Sequence, residues 1–216
     1  MNETLSSLLD RCNEETTGFK MSEILLRRSK VPLSFEGSVL HITTRNLAEL
    51  ERDSGEGFYK KIIKPLSEET VSTAISNMGW PEHLILGNYA QIIFGNPILI
   101  EETSIDHSLQ AFSSARNLRE KYGLISDGLI RDGLPKPKID FLINSGRLIY
   151  SEFGLSAVRR FGYIGGVLKE ARKIAEEIEG SNLEIYLGQK AKNLLGERAT
   201  TFPVSGLSVP LYKVTS

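Results

Sequence analysis

The residues best suited to chemistry are two arginines followed by a glycine-rich stretch, and together they read RRFGYIGG. The residues before the stretch indicate a strand, and the apolar residues after it recur at helical spacing, so a turn between strand and helix is predicted. Such a turn leaves backbone N–H groups free at the positive end of a helix, which favours a phosphate, and arginines add charged donors. The alternative is that the glycines only allow tight packing and that both arginines are solvated. The candidate binding residues are Arg159, Arg160, Phe161, Gly162, Tyr163, Ile164, Gly165 and Gly166.

Composition places the chain among ordinary globular proteins. Its 216 residues carry 26 basic and 27 acidic side chains, a formal net charge of -1. This balance argues against a broad nucleic-acid surface, and no apolar run is long enough to span a bilayer. The first residues lack the features of a secretory signal, and the single cysteine, Cys12, excludes an intrachain disulfide. A reduced, cytoplasmic protein is therefore expected.

Secondary structure in the first half is predicted from local patterns. Helical spacing favours a helix over residues 5–12, and alternation favours a strand over residues 38–44. A helix is expected from Ser67 through Ile75. Two apolar runs at residues 90–94 and 98–100, separated by Gly-Asn-Pro, predict a hairpin.

The second half has a clearer order. A helix is expected from Ser104 to a stop at Gly123, followed by a loop or lid over residues 126–138. A hairpin is predicted from strands at 139–143 and 147–153, turning at Asn144-Ser145-Gly146.

After the glycine-rich stretch, the predicted elements are a helix ending near Gly180, a strand at 183–187, a helix at 189–195, and two late strands at 200–204 and 208–214. Pro203 and Pro210 restrict the late strands to edges or bulges. The whole pattern predicts an α/β or α+β fold, with a mixed, largely antiparallel central sheet flanked by helices.

The order of strand, Arg160-to-Gly165 turn, helix, strand and short helix resembles the GNAT superfamily of acyl-CoA-dependent N-acetyltransferases. The resemblance covers roughly residues 139–214 and implies a GNAT-like domain over 86–216, with residues 1–85 as an extension or part of the same domain. It implies that the turn holds the pyrophosphate of acetyl-CoA or another acyl-CoA. It also implies acyl transfer to a small-molecule or peptide amine, and it leaves a homodimer open.

Glu152 and Tyr186 are the catalytic candidates under this resemblance. Glu152, on the strand before the turn, would deprotonate the amine, although a solvent-facing carboxylate is the simpler interpretation. The family's general-acid tyrosine has no counterpart in residues 189–195. Either Tyr186 or Tyr212 replaces it, or no acyl transfer occurs.

Two further functions are left open. Tyr163 stands where the family has a glycine, which suits a non-catalytic coenzyme A-binding, ligand-binding or assembly protein. Alternatively, Asp140 and Glu152 on paired strands would suit a metal-dependent nuclease, although Gly154 occupies the position of the usual lysine. The three histidines lack metal-ligand spacing and are expected on the surface or in loops, so no metal site is predicted.

Overall fold

The fold is described from a computed structural model. The structure describes residues 32–83, 89–95, 106–155, 158–178 and 183–215. The predicted N-terminal helix, the strand at 98–100 and the stop at Gly180 lie outside the described residues.

Eight strands form a single sheet within the described residues. Their bounds are β1 Leu33–Thr44, β2 Trp80–His83, β3 Tyr89–Phe94, β4 Ile139–Leu155, β5 Val158–Ile164, β6 Glu184–Gly188, β7 Thr201–Val204 and β8 Leu211–Val214.

Five α-helices are described together with three irregular turns of helix. The α-helices are α1 Leu47–Ser54, α2 Lys64–Ser76, α3 His107–Arg131, α4 Gly166–Glu177 and α5 Gln189–Leu195. Short 3₁₀-helices cover Gly55–Gly57 and Gly196–Arg198, and a π-helical turn covers Tyr59–Ile63. None of these helices has the length and apolar character needed to cross a bilayer.

The sheet follows the order β2-β3-β1-β4-β6-β8-β7, and β5 pairs with β4 beside this path. Only the β4–β6 pair is parallel among the pairings of the described strands. The predicted class, a mixed and largely antiparallel sheet flanked by helices, is therefore confirmed, although its GNAT-like form is not.

Both faces of the sheet are covered because β1 alternates between two apolar layers. Leu40 and Ile42 point into a core that includes buried side chains of α2, α3 and α5. Val39 points to the opposite face, where α4 contributes Ala171 and Ile174. Alternation with period two thus places the odd-numbered residues of β1 beneath α4.

The hairpin predicted at Asn144-Ser145-Gly146 is wrong, because β4 runs unbroken through these residues. They pair with β1, with Ser145 opposite Ser38. The two hydroxyl oxygens lie 2.7 Å apart, and Ser108 lies 3.2 Å from Ser145. These bonds satisfy the buried polar side chains, so residues typical of a turn remain in the middle of a strand.

The predicted turn at Arg159 to Ile164 is also wrong. These residues form β5, which pairs antiparallel with the second half of β4. Tyr163 is 8% exposed and packs on Tyr150, with ring centroids 5.0 Å apart. This packing holds the stretch as a strand, and the helix begins only at Gly166.

Helix α3 passes through the predicted stop at Gly123 and takes in part of the predicted lid. It continues because Ile125 and Leu129 pack against the core. It ends before Gly133, which has a φ of 76°. The N–H of Gly133 donates to the carbonyl of Ile130, and that of Leu134 donates to Leu129, which is a Schellman ending.

Other local predictions are confirmed. The strand at 38–44 lies inside β1, the helix at 189–195 coincides with α5, and both late strands form. Pro203 lies in β7, which is at the end of the sheet order, as expected for a proline that cannot donate to a neighbour. The division between residues 85 and 86 stays a prediction.

Candidate functional site

A cleft of about 260 Å³ lies between the second half of β1, the start of β3 and helix α4. We call it the α4 cleft. Its lining residues are His41, Thr43, Arg45, Tyr89, Arg172, Ala175 and Glu176. Two of its seven lining side chains are guanidinium groups, and one is a carboxylate.

The alternation of β1 brings three polar residues to this cleft. His41 and Thr43 lie on the same face of β1 as Val39, which packs beneath α4. Arg45 follows directly after the strand. Thr43 stands opposite Tyr89 of β3. The strand therefore changes from an apolar to a polar surface beneath the last turns of α4.

Arg45 is held in place from two sides. Its Nε donates to Asp140 Oδ2 at 3.2 Å, and one terminal nitrogen donates to the carbonyl of Ala175 at 2.9 Å. The Arg45 side chain is 24% exposed and that of Asp140 is 4% exposed. The guanidinium is thus fixed between sheet and helix, and its planar group has donors beyond these two hydrogen bonds.

Arg172 enters the cleft from α4 above an aromatic pair. Its guanidinium lies 5.5 Å from the centre of the Tyr89 ring, within cation–π range. The Tyr89 and His41 rings stack with centroids 5.2 Å apart, and His41 Nδ1 lies 3.0 Å from the Gln91 amide. Arg172 Nε also donates to Glu176 at 3.2 Å. Tyr89 and Glu176 together hold the guanidinium in position, and Glu176 partly balances its charge.

A row of polar side chains continues across the sheet from the cleft. Thr43 pairs with Asp140 of β4, and Asp140 pairs with Glu184 of β6. Directly paired residues project to the same face, so the two carboxylates share it. Lys213 donates to Glu184 Oε1 at 2.8 Å, and this hydrogen bond, opposed by slight burial, raises the pKa of Lys213. Arg45 and Lys213 together balance the two carboxylates.

The chemistry of the α4 cleft favours an anionic group. Guanidinium forks match the oxygen geometry of phosphate, and the Thr43 hydroxyl can donate a further hydrogen bond. The described residues contain no group of three or more histidine, cysteine, aspartate or glutamate side chains that could hold a metal ion. Asp140 and Glu176 each face an arginine instead of a shared cation position.

The predicted catalytic pair is not brought together. Tyr186 lies on β6 opposite Leu142, whereas Glu152 lies ten residues further along β4. Ten residues of extended strand span about 33 Å, so the two side chains cannot act on one substrate. Asp140 and Glu152 lie on the same strand and still further apart, so the paired-strand arrangement expected for a nuclease is wrong.

The predicted cofactor-binding residues are divided between a strand and a helix start. Arg159, Arg160, Phe161, Gly162, Tyr163 and Ile164 lie in β5, Gly165 precedes α4, and Gly166 is its first residue. The backbone amides of β5 belong to a paired strand and do not form the expected helix-start turn. Whether these residues contact another ligand stays a prediction.

The residues of the α4 cleft were missed in the sequence. His41 lies in the strand predicted at 38–44, but it was expected to be a surface or loop histidine and is instead 2% exposed. The available signal was the spacing of His41, Thr43 and Arg45, three polar residues at every second position from the middle of β1 to just past its end. Tyr89 and Arg172 carry no such signal, because only the folded sheet brings them to β1.

Comparisons with known proteins identify the fold. No family model matches the sequence, and no curated protein sequence matches it. Many solved structures are similar, including the following three. The adenylyl cyclase CyaB from P. aeruginosa has a TM-score of 0.73 and 18% identity, over 85% of this chain and 95% of that one. The guanylyl cyclase Cya2 has a TM-score of 0.71 and 14% identity, over 85% and 93%. The guanylate cyclase domain of RhGC from Catenaria anguillulae, in complex with GTP, has a TM-score of 0.68 and 15% identity, over 85% and 98%.

These likenesses correct the sequence interpretation. The fold is that of nucleotide cyclase domains, and the resemblance to the GNAT superfamily is wrong. The acyltransferase activity and the acetyl-CoA or acyl-CoA ligand inferred from that resemblance are therefore wrong as well. The amine acceptor is not supported. The two alternative functions, the coenzyme A-binding protein and the nuclease, are not supported either. At 10–18% identity the similarity establishes the fold and leaves the activity to be argued from the site.

Proposed function

We propose that this chain is a nucleotide-binding domain with the cyclase fold, and that the α4 cleft holds the phosphates of a purine nucleoside triphosphate. The observation that carries the proposal is the pair of arginines, Arg45 and Arg172, beside Thr43 in a chain with this fold. Two structures with the same fold contain GTP and an ATP analogue, which supports this class of ligand.

The geometry of the cleft supports phosphate more strongly than a base. Arg45 and Arg172 come from opposite sides, one after β1 and one on α4, so a phosphate placed between them can receive hydrogen bonds from both. Tyr89 already contacts His41 and the Arg172 guanidinium, which leaves it as a support for the arginine. A volume of about 260 Å³ is smaller than most pockets for drug-sized ligands and suits a phosphate chain.

The donor set does not fit a catalytic divalent cation. Magnesium bound with nucleotide phosphates is normally held by carboxylate oxygens. In the α4 cleft, Glu176 pairs with Arg172 and Asp140 pairs with Arg45, so neither arrangement presents a free pair of carboxylates to a cation. We therefore propose binding of the nucleotide without its cyclisation.

Isothermal titration with ATP and GTP tests the binding proposal, first in EDTA and then with Mg²⁺. We expect saturable binding in EDTA and no conversion to cyclic nucleotide and pyrophosphate in a chromatographic assay with Mg²⁺ or Mn²⁺. Arg172→Gln should weaken binding roughly tenfold or more, since charge-assisted hydrogen bonds are the strong ones. Arg172 is the better target because its side chain and that of its ion-pair partner Glu176 are exposed on α4, so its loss should spare the fold.

Arg52→Gln is the matched control, because Arg52 is exposed on α1 and pairs only with neighbouring Asp53 among the described residues. It should leave affinity unchanged. Absence of binding in the wild type, or equal loss in both variants, would contradict the α4 assignment. Formation of cyclic AMP or cyclic GMP would show that the domain is an active cyclase. A homodimer is compatible with the fold, whose structures include monomeric and dimeric forms, and stays a proposal.

A further inference from the structure

A second cleft of about 260 Å³ lies on the opposite face of the sheet, between α3 and the C-terminal strands. We call it the basic cleft. Its walls carry three guanidinium groups, from Arg116 and Arg119 of α3 and from Arg198. No carboxylate lines it among the described residues. This concentration of like charge is notable because the whole chain has a net charge of -1.

Two of the three arginines have no partner in the part of the chain that the structure describes. Neither Arg116 nor Arg119 forms a hydrogen bond or ion pair there. They are three residues apart on α3, so they project from one side of the helix. Holding two such cations close together without a counter-charge is unfavourable, and an anion between them removes the repulsion.

Arg198 forms a fixed third side of the basic cleft. It pairs with Asp106 at 2.5 Å, and its other nitrogens donate to the carbonyls of Leu194 and Leu195 at 2.8 and 3.1 Å. Asp106 is occupied in turn as the N-cap of α3, where it accepts from the N–H groups of Ser108 and Leu109. The Asp106 carboxylate therefore balances Arg198 and leaves the charge of α3 uncompensated.

The floor of the basic cleft is apolar and rigid. Phe112 and Val214 are 6% and 7% exposed and belong to the main core. Thr215 donates to the carbonyl of Thr200 through both its N–H, at 2.9 Å, and its hydroxyl, at 3.0 Å. These contacts fix the wall opposite α3, so the cleft exists without a ligand and does not need ordering.

We propose that the basic cleft is a second binding site, for a small ligand carrying a phosphate group with two negative charges. A phosphate offers several oxygens to two unpaired guanidinium forks, whereas a single carboxylate neutralises only one of them. The site lies on the α3 face and is independent of nucleotide binding in the α4 cleft. A regulatory small molecule that binds here would contact α3, the longest described helix, directly.

Isothermal titration with inorganic pyrophosphate in EDTA tests this site, with AMP as a second probe. If both probes bind comparably, the site accepts a phosphate group that is part of an ester, as in AMP. If only pyrophosphate binds, the ligand of the site is a free inorganic anion. The variant is Arg116→Gln with Arg119→Gln. We expect its affinity to fall tenfold or more, and wild-type affinity to fall as salt is added.

Two controls separate the clefts. Arg131→Gln removes an exposed arginine from the same helix, and Arg172→Gln removes one from the α4 cleft. Both of these variants should still bind pyrophosphate in the basic cleft. If only Arg172→Gln abolishes pyrophosphate binding, or if the wild type does not bind pyrophosphate, the proposal is overturned.

Chemical modification provides a measurement that needs no variant. Phenylglyoxal reacts with accessible arginines, and peptide mass spectrometry locates the products. Pyrophosphate should protect Arg116 and Arg119 and leave Arg131 reactive. Equal reactivity of all three with and without pyrophosphate would also overturn the proposal.

Discussion

The ion pair between Arg45 and Asp140 joins β1, β4 and α4 at the mouth of the α4 cleft. Asp140 is 4% exposed, and Arg45 also donates to the carbonyl of Ala175. Replacing either charged side chain therefore leaves the other in a poorly solvated position. We expect both Arg45→Gln and Asp140→Asn to destabilise the fold, and Arg45→Gln to be the more damaging.

The size of the effect follows from the geometry. At 3.2 Å and an effective dielectric constant of about 20, the attraction is about 5 kcal/mol before desolvation is subtracted. Since Arg45 is 24% exposed, water offsets part of this attraction. We expect a loss of about 3 kcal/mol for Arg45→Gln and about 2 kcal/mol for Asp140→Asn.

Urea denaturation followed by circular dichroism measures these losses, and the double variant isolates the pair. A coupling free energy of about 1–2 kcal/mol is expected between Arg45 and Asp140. The exposed pair of Arg52 and Asp53 is the control and should give less than about 0.5 kcal/mol. If each single variant lowers the free energy of unfolding by less than that value and the two show no coupling, this ion pair does not stabilise the packing of β1, β4 and α4 at the cleft.

Three further predictions concern positions outside the two clefts. Gly165→Ala should destabilise by about 1–3 kcal/mol in thermal unfolding, because the added Cβ would lie 2.6 Å from the carbonyl oxygen of Arg147; an unchanged melting temperature would exclude this close approach. Tyr122→Phe should cost about 1–2 kcal/mol in urea denaturation, since it removes a fully buried hydroxyl 2.5 Å from Thr70; a neutral effect would mean that the hydrogen bond contributes nothing net. Burial lowers the pKa of His107 from 6.5, so its contribution to stability is present above pH 6.5 and is lost as the pH falls through the lowered pKa. His107→Asn should flatten this pH dependence of the free energy of unfolding, measured by urea denaturation at successive pH values. An unaltered slope would contradict the prediction.

The strand β4 shows why local sequence predicted part of this fold and missed the rest. Asn144, Ser145 and Gly146 are typical turn residues, and nothing near them in sequence reveals otherwise. Their partners are distant: Ser38 and Ser108 surround Ser145. Pairing with β1 overrides the local preference, and that information lies in the register of the sheet. The short helix and the two C-terminal strands needed no such partners to be recognised.

The same limitation produced the incorrect family. The stretch from Arg159 to Gly166 was interpreted as a phosphate-binding turn because its glycines precede a helix. Its first six residues lie in β5. Its pairing with the far half of β4 instead makes it a strand, and Tyr163 packs between Tyr150 and Phe35. A tyrosine at this position fits an aromatic cluster well and fits a phosphate loop poorly. The order of strands and helices alone was therefore a weak basis for the family.

The two clefts differ in how their arginines are compensated, and this difference predicts distinct behaviour. In the α4 cleft, Arg45 and Arg172 already face Asp140 and Glu176, so an incoming phosphate competes with carboxylates. Binding there depends on geometry and gains little from net charge. In the basic cleft, the α3 arginines have no such competitor, so affinity should depend more steeply on ionic strength. Added salt should therefore weaken pyrophosphate binding at α3 before it weakens nucleotide binding beneath α4, and the reverse order would show that the two sites have been assigned to the wrong ligands.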